Sequence, residues 1–267
     1  MIRLFTLLFF AATPVFAQTL SPAQTTLMKD AQIIILGEIH DNREHHQGQA
    51  KLLALIDPKA VVFEMLSATQ AEIVNADLRK DVAKLSERIK WDASGWPDFK
   101  LYAPIFAALG DRRVVGAAVP SGVIHDAFGK GAAKVFGEGA ARFGLDQDVP
   151  SSQLEARKQM QFDAHCETMP ITMMGGMVEA QRLRDAFFSR AALNAYEQYG
   201  APIVVITGNG HARRDWGMPA LLSKAAPKLK VYSVGFVERP APSDDPRFNV
   251  TIVTAPAKRS EPCDAFK

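Results

Sequence analysis

The sequence predicts an α/β fold: a mainly parallel sheet flanked by helices, with a helical subdomain over the C-terminal strand ends. Two observations favour this class. Short β-branched runs alternate with helical stretches, which is typical of parallel sheets. Two of the runs end in glycine followed by polar residues, as buried strands do where they open into ligand-binding loops. The predicted strands cover residues 32–36, 60–63, 113–119, 202–207, 230–237 and 250–253.

The first long helix is predicted to begin after Asn42 and to end before Pro58. Asn42 is a suitable N-cap because its side-chain oxygen can accept from the free N–H groups of the turn containing Glu44. The apolar residues of this helix are expected to face the sheet. They are Leu52, Leu53, Leu55 and Ile56.

Two longer parts of the chain are predicted to be helical insertions, at about residues 67–110 and 121–199. The second contains the longest helical stretches, residues 152–166 and 171–199, and is expected to enclose a pocket above the strand ends. A further helix is predicted after residue 214, with Asp215 as its cap and Pro219 in its first turns. No Pro-, Gly- or Ser-rich linker separates these parts, so residues 18–267 are predicted to form a single domain.

The first 17 residues have the pattern of a secretory signal peptide. Arg3 precedes a short apolar segment, and Ala17 ends a small-residue cleavage site before Gln18. The apolar segment is shorter than the roughly 20 residues that span a bilayer, and no later window is long and apolar enough. We expect a periplasmic or secreted protein without a transmembrane segment in the mature chain.

Composition excludes nucleic acid as an expected partner. The chain has 31 Lys and Arg residues against 29 Asp and Glu residues, for a formal net charge of +2, and no block of basic residues. Its hydrophobic fraction of 48% is ordinary for a globular core.

The two cysteines, Cys166 and Cys263, are far apart in sequence. In an oxidising compartment such a pair predicts a disulfide that ties the C-terminal tail to the helical middle of the chain. Closing a loop of that length contributes about 4 kcal/mol in the chain-entropy model. The alternative is that His165 and Cys166 bind a metal.

Two histidines end the same four-residue pattern near opposite ends of the chain. Gly37-Glu38-Ile39-His40 follows the first strand, and Gly208-Asn209-Gly210-His211 follows the fourth. The second strand also ends on a carboxylate, Glu64. Because the carboxyl ends of parallel strands share one edge of a sheet, Glu38, His40, Glu64 and His211 are predicted to form one site, and they are the candidate catalytic residues.

These residue types suit a divalent metal as well as acid–base work. Imidazole and carboxylate are ligands of Zn²⁺, Mn²⁺ and Co²⁺. His45 and His46 open the following helix, and we expect His45 to reach the crevice while His46 faces solvent. The candidate metal ligands are His40, His211, Glu38, Glu64 and His45.

Other residues suit a larger ligand. Met173 and Met177 belong to a Met-rich segment that is expected to cover the site, where soft side chains suit a porphyrin; plain core packing is the alternative. Arg213 would suit a ligand carboxylate, or an ion pair with Glu38 or Glu64. Tyr102, Tyr196 and Tyr199 are possible phenolate ligands of haem iron, and we take Tyr102 as the candidate. Glu179, Arg182 and Asp185 occur at helical spacing, so one polar face either lines the crevice or faces solvent.

Several of these segments together resemble a known family. They are Leu36-Gly37-Glu38-Ile39-His40-Asp41-Asn42 with His45-His46, Val62-Phe63-Glu64-Met65, Trp91, Gly95-Trp96-Pro97 with Tyr102, and Gly208-Asn209-Gly210-His211-Ala212-Arg213. The chain is similar over residues 31–237 to the ChaN-like haem-binding uptake family, a branch of the superfamily that also holds the Tiki metalloproteases and erythromycin esterases.

The resemblance implies a cell-envelope protein that binds haem in haem or iron uptake. For the family's namesake it implies a tyrosine ligand at a homodimer contact, and it suggests an outer-membrane uptake system as partner. It also implies, from the enzymes of the superfamily, an alternative: a metal-dependent hydrolase of peptide, amide or ester bonds at Glu38, His40, Glu64 and His211. Haem and a divalent ion such as Zn, Mn or Co are therefore the two cofactor expectations.

Overall fold

The computed structural model describes residues 20–77, 81–261 and 263–264, and these residues confirm the predicted fold class. The predicted signal peptide lies outside them. One parallel sheet contains the six described strands in the order β3-β2-β4-β1-β5-β6. The strands are β1 Ile33–Glu38, β2 Ala60–Phe63, β3 Arg113–Gly116, β4 Ile203–Gly208, β5 Val231–Glu238 and β6 Val250–Thr254.

Helices cover both faces of the sheet in the described part of the chain. Those between β1 and β3 are α2 Arg43–Ile56, α3 Ala68–Asp77, α4 Val82–Arg88 and α5 Phe99–Ala107, and α1 Pro22–Lys29 precedes them. Those after β3 are α6 Ser121–Lys130, α7 Ala132–Phe136, α8 Ser151–Ala164, α9 Met174–Tyr199, α10 Asn209–Ala212 and α11 Met218–Ala225. Short 3₁₀ turns lie at Trp91–Ala93, Ala141–Phe143 and Ile171–Met173.

Strand β1 lies in the middle of the sheet and is apolar on both sides, as expected for a strand covered by helices on both faces. Ile34 and Leu36 pack in the cluster that contains α2 and α5. Ile33 and Ile35 pack in the opposite cluster, with the second half of α9. The alternation follows from the two-residue period of a strand.

The pairing of β1 with β4 determines where the functional residues meet. Their register places Gly37 opposite Thr207 and Glu38 opposite Gly208. The two Gly-x-x-His segments, about 170 residues apart in sequence, therefore leave the sheet side by side.

Helix α2 begins as predicted. The Asn42 side chain accepts hydrogen bonds from the backbone N–H of Glu44 at 2.8 Å and of His45 at 3.3 Å. Leu52, Leu53 and Ile56 are buried, but Leu55 is 40% exposed, so its predicted orientation toward the sheet is wrong. It lies two positions from Leu53, on the opposite side of the helix.

The predicted disulfide between Cys166 and Cys263 is present, with a Cα–Cα distance of 5.3 Å and a sequence separation of 97. The bond attaches the C-terminal tail to the segment between α8 and α9. The alternative, that Cys166 binds a metal with His165, is wrong, because both sulfur atoms are used in the bond. A search of the described helices for a segment with the length and apolar character of a membrane span finds none.

Substitution of Gly116 is expected to destabilise the edge of the sheet. A Cβ at Gly116 would lie 2.2 Å from the backbone oxygen of Ser67, which cannot move without displacing the chain after β2. Gly116→Ala should lower the free energy of unfolding in urea by about 1–3 kcal/mol. Gly122→Ala is the control, because a Cβ there meets nothing within 4 Å. Equal stability of the two variants would contradict this packing.

Candidate functional site

The four residues singled out by sequence lie at one edge of the sheet. Glu38 ends β1, Glu64 follows β2 and donates its backbone N–H to Ile206 of β4, and His211 lies in the short helix after β4. Both carboxylates are buried, with 2% exposure. We call Glu38, His40, Glu64 and His211 the strand-end site.

Donors contact one oxygen of Glu38, Oε1, whereas Oε2 is buried without a hydrogen-bond partner among the described residues. His40 Nδ1 lies 2.8 Å from Glu38 Oε1, and the Tyr102 hydroxyl donates to the same oxygen at 3.0 Å. His46 Nε2 lies 3.4 Å from it. Burial raises the pKa of Glu38, but the hydrogen bond of His40 and the nearby His46 outweigh burial and lower the pKa to about 2. Glu38 is therefore an anion across the physiological pH range.

His40 is the member of the site that faces outward. Its side chain is 32% exposed, and its ring meets Trp96 edge-on at a centroid distance of 4.8 Å. Burial lowers its pKa, but the hydrogen bond to Glu38 and the Glu38 charge outweigh burial, so the pKa is raised. Because Glu38 engages Nδ1, Nε2 is the ring nitrogen left for a ligand.

Glu64 is held by different donors. Arg184 of α9 contacts Oε1 at 2.5 Å, while the Thr207 hydroxyl and the Gly208 backbone N–H donate to Oε2 at 2.6 and 2.8 Å. Burial raises the pKa of Glu64, but the neighbouring His211 and Arg184 outweigh burial and lower the pKa to about 2. Both oxygens of Glu64 are occupied by protein donors.

His211 is oriented by a second carboxylate. Its Nδ1 lies 2.7 Å from Asp185 Oδ1, and its Nε2 lies 3.5 Å from Glu64 Oε1. The Gln181 amide nitrogen lies 3.0 Å from the His211 ring. Burial raises the pKa of Asp185, although His211 opposes the shift. His40 and His211 thus each contact a buried carboxylate through Nδ1.

Gly208 is the point where the two halves of the site meet. A Cβ on Gly208 would lie 2.9 Å from His40 Nε2 and 3.8 Å from Glu64 Oε2. The absence of a side chain at this position lets His40 lie against the backbone beside Glu64. This accounts for glycine as the residue that ends β4.

Several predicted placements differ from the structure. His45 and His46 are both buried, and His46 faces Glu38, whereas His45 Nδ1 accepts from the Ile39 backbone and Nε2 contacts Thr254. The expectation that His45 reaches the crevice and His46 faces solvent is therefore wrong. Burial lowers the pKa of His45 to about 4, and both its nitrogens are occupied, which does not fit a metal ligand.

Tyr102 does not fit an iron ligand. The residue is fully buried, and burial together with Glu38 raises the pKa of its phenol. Its hydroxyl is used to hold Glu38. Tyr196 and Tyr199 lie at the end of α9 that precedes β4, away from the strand-end site at the other end of the sheet.

Arg213 also has a different partner from those expected. Its guanidinium forms a bidentate pair with Asp215 at 2.6 and 2.9 Å and stacks on Trp216. The predicted pairing with Glu38 or Glu64 is wrong, and Asp215 is not the helix cap, because Gly217 precedes α11. Pro219 lies in the first turn of α11, as predicted.

The Met-rich segment forms the start of α9 and the turn before it. Met173 is 45% exposed and Met177 is half-buried. Met177 precedes Gln181 by one helical turn, so it extends the face that carries Arg184 and Asp185 beyond the strand ends. Of the three polar residues predicted to share a face, Asp185 reaches the site, whereas Arg182 pairs with Glu179 at 2.7 Å.

Sequence reasoning missed Arg184, Gln181 and Thr207. Gln181 precedes Arg184 by three positions and Asp185 by four, and this helical spacing was the available signal. Nothing in the sequence distinguishes Thr207 from other strand residues.

The divalent-metal alternative has no support in the site. Among the described residues no group of three or more His, Cys, Asp or Glu side chains is arranged to hold a metal ion. Arg184 supplies the positive charge beside Glu64 that a metal ion would supply. A cavity of about 600 Å³ lies away from the strand-end site, between α2 and β6. None of the four strand-end residues lines it.

Comparison with known proteins identifies the family. The family model for haem-binding uptake proteins of the ChaN type, in the Tiki superfamily, matches residues 25–222. The chain belongs to this family. The resemblance predicted from sequence is thus confirmed.

A solved ChaN structure shares the fold. A structure described as cofacial heme binding to ChaN of Campylobacter jejuni aligns with a TM-score of 0.59 and 15% identity, covering 86% of this chain and 90% of the other. The type III effector HopBA1 aligns with a TM-score of 0.47 and 13% identity, covering 86% and 91%. No curated protein sequence matches this chain significantly.

The Glu38–His40 contact predicts a measurable pKa change. In the wild type, the NMR-titrated pKa of His40 should exceed 6.5, and in Glu38→Gln it should fall below 6.5 because burial remains while the anion is lost. The stability that His40 contributes is complete below pH 6.5 and lost as pH rises through the raised pKa. Glu72→Gln is the control, because Glu72 pairs with Arg113 at the opposite end of the sheet. An unchanged His40 pKa in Glu38→Gln would contradict the contact.

Removal of Arg184 should destabilise the protein more at high pH than at low pH, because the Glu64 charge then lacks its partner. Glu64 now contributes stability above pH 4.5 that is lost as pH falls toward its pKa of about 2. In Arg184→Met the pKa of Glu64 should rise, so a loss on the order of 3 kcal/mol at pH 7.5 should shrink by pH 5. Urea unfolding at both pH values measures this.

The matched control is Arg190→Met, on the same helix, where the guanidinium lies over Phe136 and Phe187 and no acid. Its loss should be the same at both pH values. A loss in Arg184→Met that does not change with pH would show that Arg184 does not stabilise the Glu64 charge.

Proposed function

We propose that this protein binds haem at the mouth of the strand-end site and serves haem or iron uptake in the cell envelope. Membership of the haem-binding uptake family is the observation that carries the proposal. The fold similarity to ChaN of Campylobacter jejuni, whose structure is described as binding heme cofacially, is consistent with it. The periplasmic location, the homodimer and the outer-membrane partner are expectations that follow from the family and the sequence.

His40 is the residue that best fits iron in this site. Its Nδ1 is engaged by Glu38, which fixes the ring and increases the electron density on Nε2, as carboxylates do behind metal-binding histidines. Its side chain is partly exposed beside Trp96. Haem would supply a Lewis-acidic iron at this position, and the ligand role expected for Tyr102 passes to His40.

The rim above the site suits the flat apolar body of a porphyrin. Ile171 and Met173 are large apolar side chains that are 39% and 45% exposed. Met177 continues this apolar surface toward Gln181. Trp96 provides an aromatic wall on the His40 side. Arg213 is not available to a propionate because Asp215 occupies its guanidinium.

Hemin titration tests the proposal. Wild-type protein should give a saturable Soret band, and His40→Ala should weaken hemin affinity at least tenfold. Tyr102→Phe should leave the band position unchanged, because the buried phenol does not reach the iron. His125→Ala, an exposed histidine on α6, is the control and should behave as wild type. Unaltered hemin binding by His40→Ala would refute the assignment of the ligand.

A second function is favoured by a specific observation: two histidines in one crevice, each oriented by a buried carboxylate. We propose that the crevice can hydrolyse an ester or amide without a metal ion. His211 Nε2 would take a proton from water as its oxygen attacks the carbonyl carbon. Protonated His40 would give a proton to the leaving oxygen or nitrogen as its bond to carbon breaks.

Hydrolysis of p-nitrophenyl acetate in EDTA tests this second function. His211→Gln and Asp185→Asn should lower kcat/KM at least 100-fold, the range expected for a general base. Asp163→Asn, an exposed residue of α8, is the control. Equal rates for all four proteins would mean that the crevice does not catalyse this reaction.

A further inference from the structure

A small cavity lies between α8, α11 and the segment before α8, on the far side of the His211–Asp185 pair. Its volume is about 260 Å³, which is below the range of roughly 300–1,000 Å³ typical of pockets for drug-sized ligands. Phe143, Leu145, Val149 and Leu221 provide apolar walls. Arg157 and Trp216 provide the polar part. We call this the Arg157 cavity.

Arg157 is a buried cation without a carboxylate partner. It is 7% exposed, forms no ion pair with the described residues and contacts the neutral Gln153 side chain at 2.7 Å. Its Nε has no hydrogen-bond partner. Burial lowers the pKa of Arg157 to about 10, although the charge of Asp185 opposes the shift. A buried charge of this kind is costly unless an anion accompanies it.

Trp216 lines the same cavity and carries a second buried donor without a partner. The residue is 9% exposed, and its indole Nε1 has no partner. The Arg157 guanidinium lies 5.2 Å from the Trp216 ring centroid. The two unsatisfied N–H donors therefore belong to adjacent side chains.

Four other charged residues line the cavity, and one of them, Asp148, is a carboxylate exposed to solvent. Arg182 pairs with Glu179 and donates to the backbone oxygen of Gln147 at 2.8 Å. Asp215 is paired with Arg213, and Lys224 donates to the Gln147 side chain at 2.8 Å. Arg157 is thus the buried charge of this cavity, and it forms no ion pair with the described residues.

We propose that the Arg157 cavity binds a small organic monocarboxylate, with its carboxylate on the Arg157 guanidinium beside Trp216 and its apolar body against the walls. A guanidinium matches a carboxylate in charge and in geometry. The apolar walls select an organic acid over an inorganic anion. The site is distinct from the haem proposal, since none of its residues lines the strand-end site.

NMR titration of the Trp216 indole N–H tests the proposal, with the signal assigned from Trp216→Phe. Benzoate, added at constant ionic strength, should shift this signal saturably and bind at least tenfold more tightly than inorganic phosphate. Arg157→Gln should weaken benzoate at least tenfold. Arg190→Gln, which removes a surface cation, should not weaken it.

Each contrary outcome overturns the proposal. A Trp216 signal that does not respond saturably in the wild type would exclude the site, whatever the folding of the variants. Equal affinity for phosphate and benzoate would mean that the cavity is a general anion site. Unchanged benzoate affinity in Arg157→Gln would mean that Arg157 instead compensates Asp185, whose Oδ2 also has no partner.

Discussion

The burial of two carboxylates at the carboxyl ends of the strands is the constraint on which the rest of the site depends. Glu38 and Glu64 are each 2% exposed and carry pKa values of about 2. An ionised carboxylate in such surroundings costs several kcal/mol unless donors surround it. The fold meets this cost twice, with His40, His46 and Tyr102 around Glu38, and with Arg184, Thr207 and the Gly208 backbone around Glu64.

This constraint explains why residues from distant parts of the chain meet here. Glu38 requires Tyr102 from α5, and Glu64 requires Arg184 from α9, so helices from both faces of the sheet reach the strand ends. The parallel pairing of β1 with β4 then places His40 against Gly208, next to Glu64. We expect removal of one donor to raise the pKa of its carboxylate while the fold is retained.

The strands and the family could be predicted from sequence, because β-branched runs and Gly-x-x-His segments are local patterns. All six strands are found within three residues of their predicted ends. The choice between His45 and His46 could not be predicted, since it depends on the rotation of α2 against β5 and β6. Arg184 was missed for a related reason: its role follows from the long-range packing of α9 beside β2 and β4. Arg213 was misassigned because Asp215, two residues away, is the nearer partner.

Two functions are proposed for one crevice, haem binding and hydrolysis. The two histidine–carboxylate pairs are suited to proton transfer. The Trp96 ring beside His40 is suited to a flat ligand. His40 belongs to both, since Glu38 orients it and its outer edge is accessible. The family favours haem, and we therefore propose His40 Nε2 as the iron ligand.

The most direct test of this claim is the position of iron in a crystal of the protein grown with hemin, located by anomalous diffraction at the iron edge. We predict an iron peak at coordination distance from His40 Nε2, with the porphyrin between Trp96 and the side chains of Met173 and Met177. An iron peak beside Tyr196 or Tyr199, at the other end of α9, would contradict it.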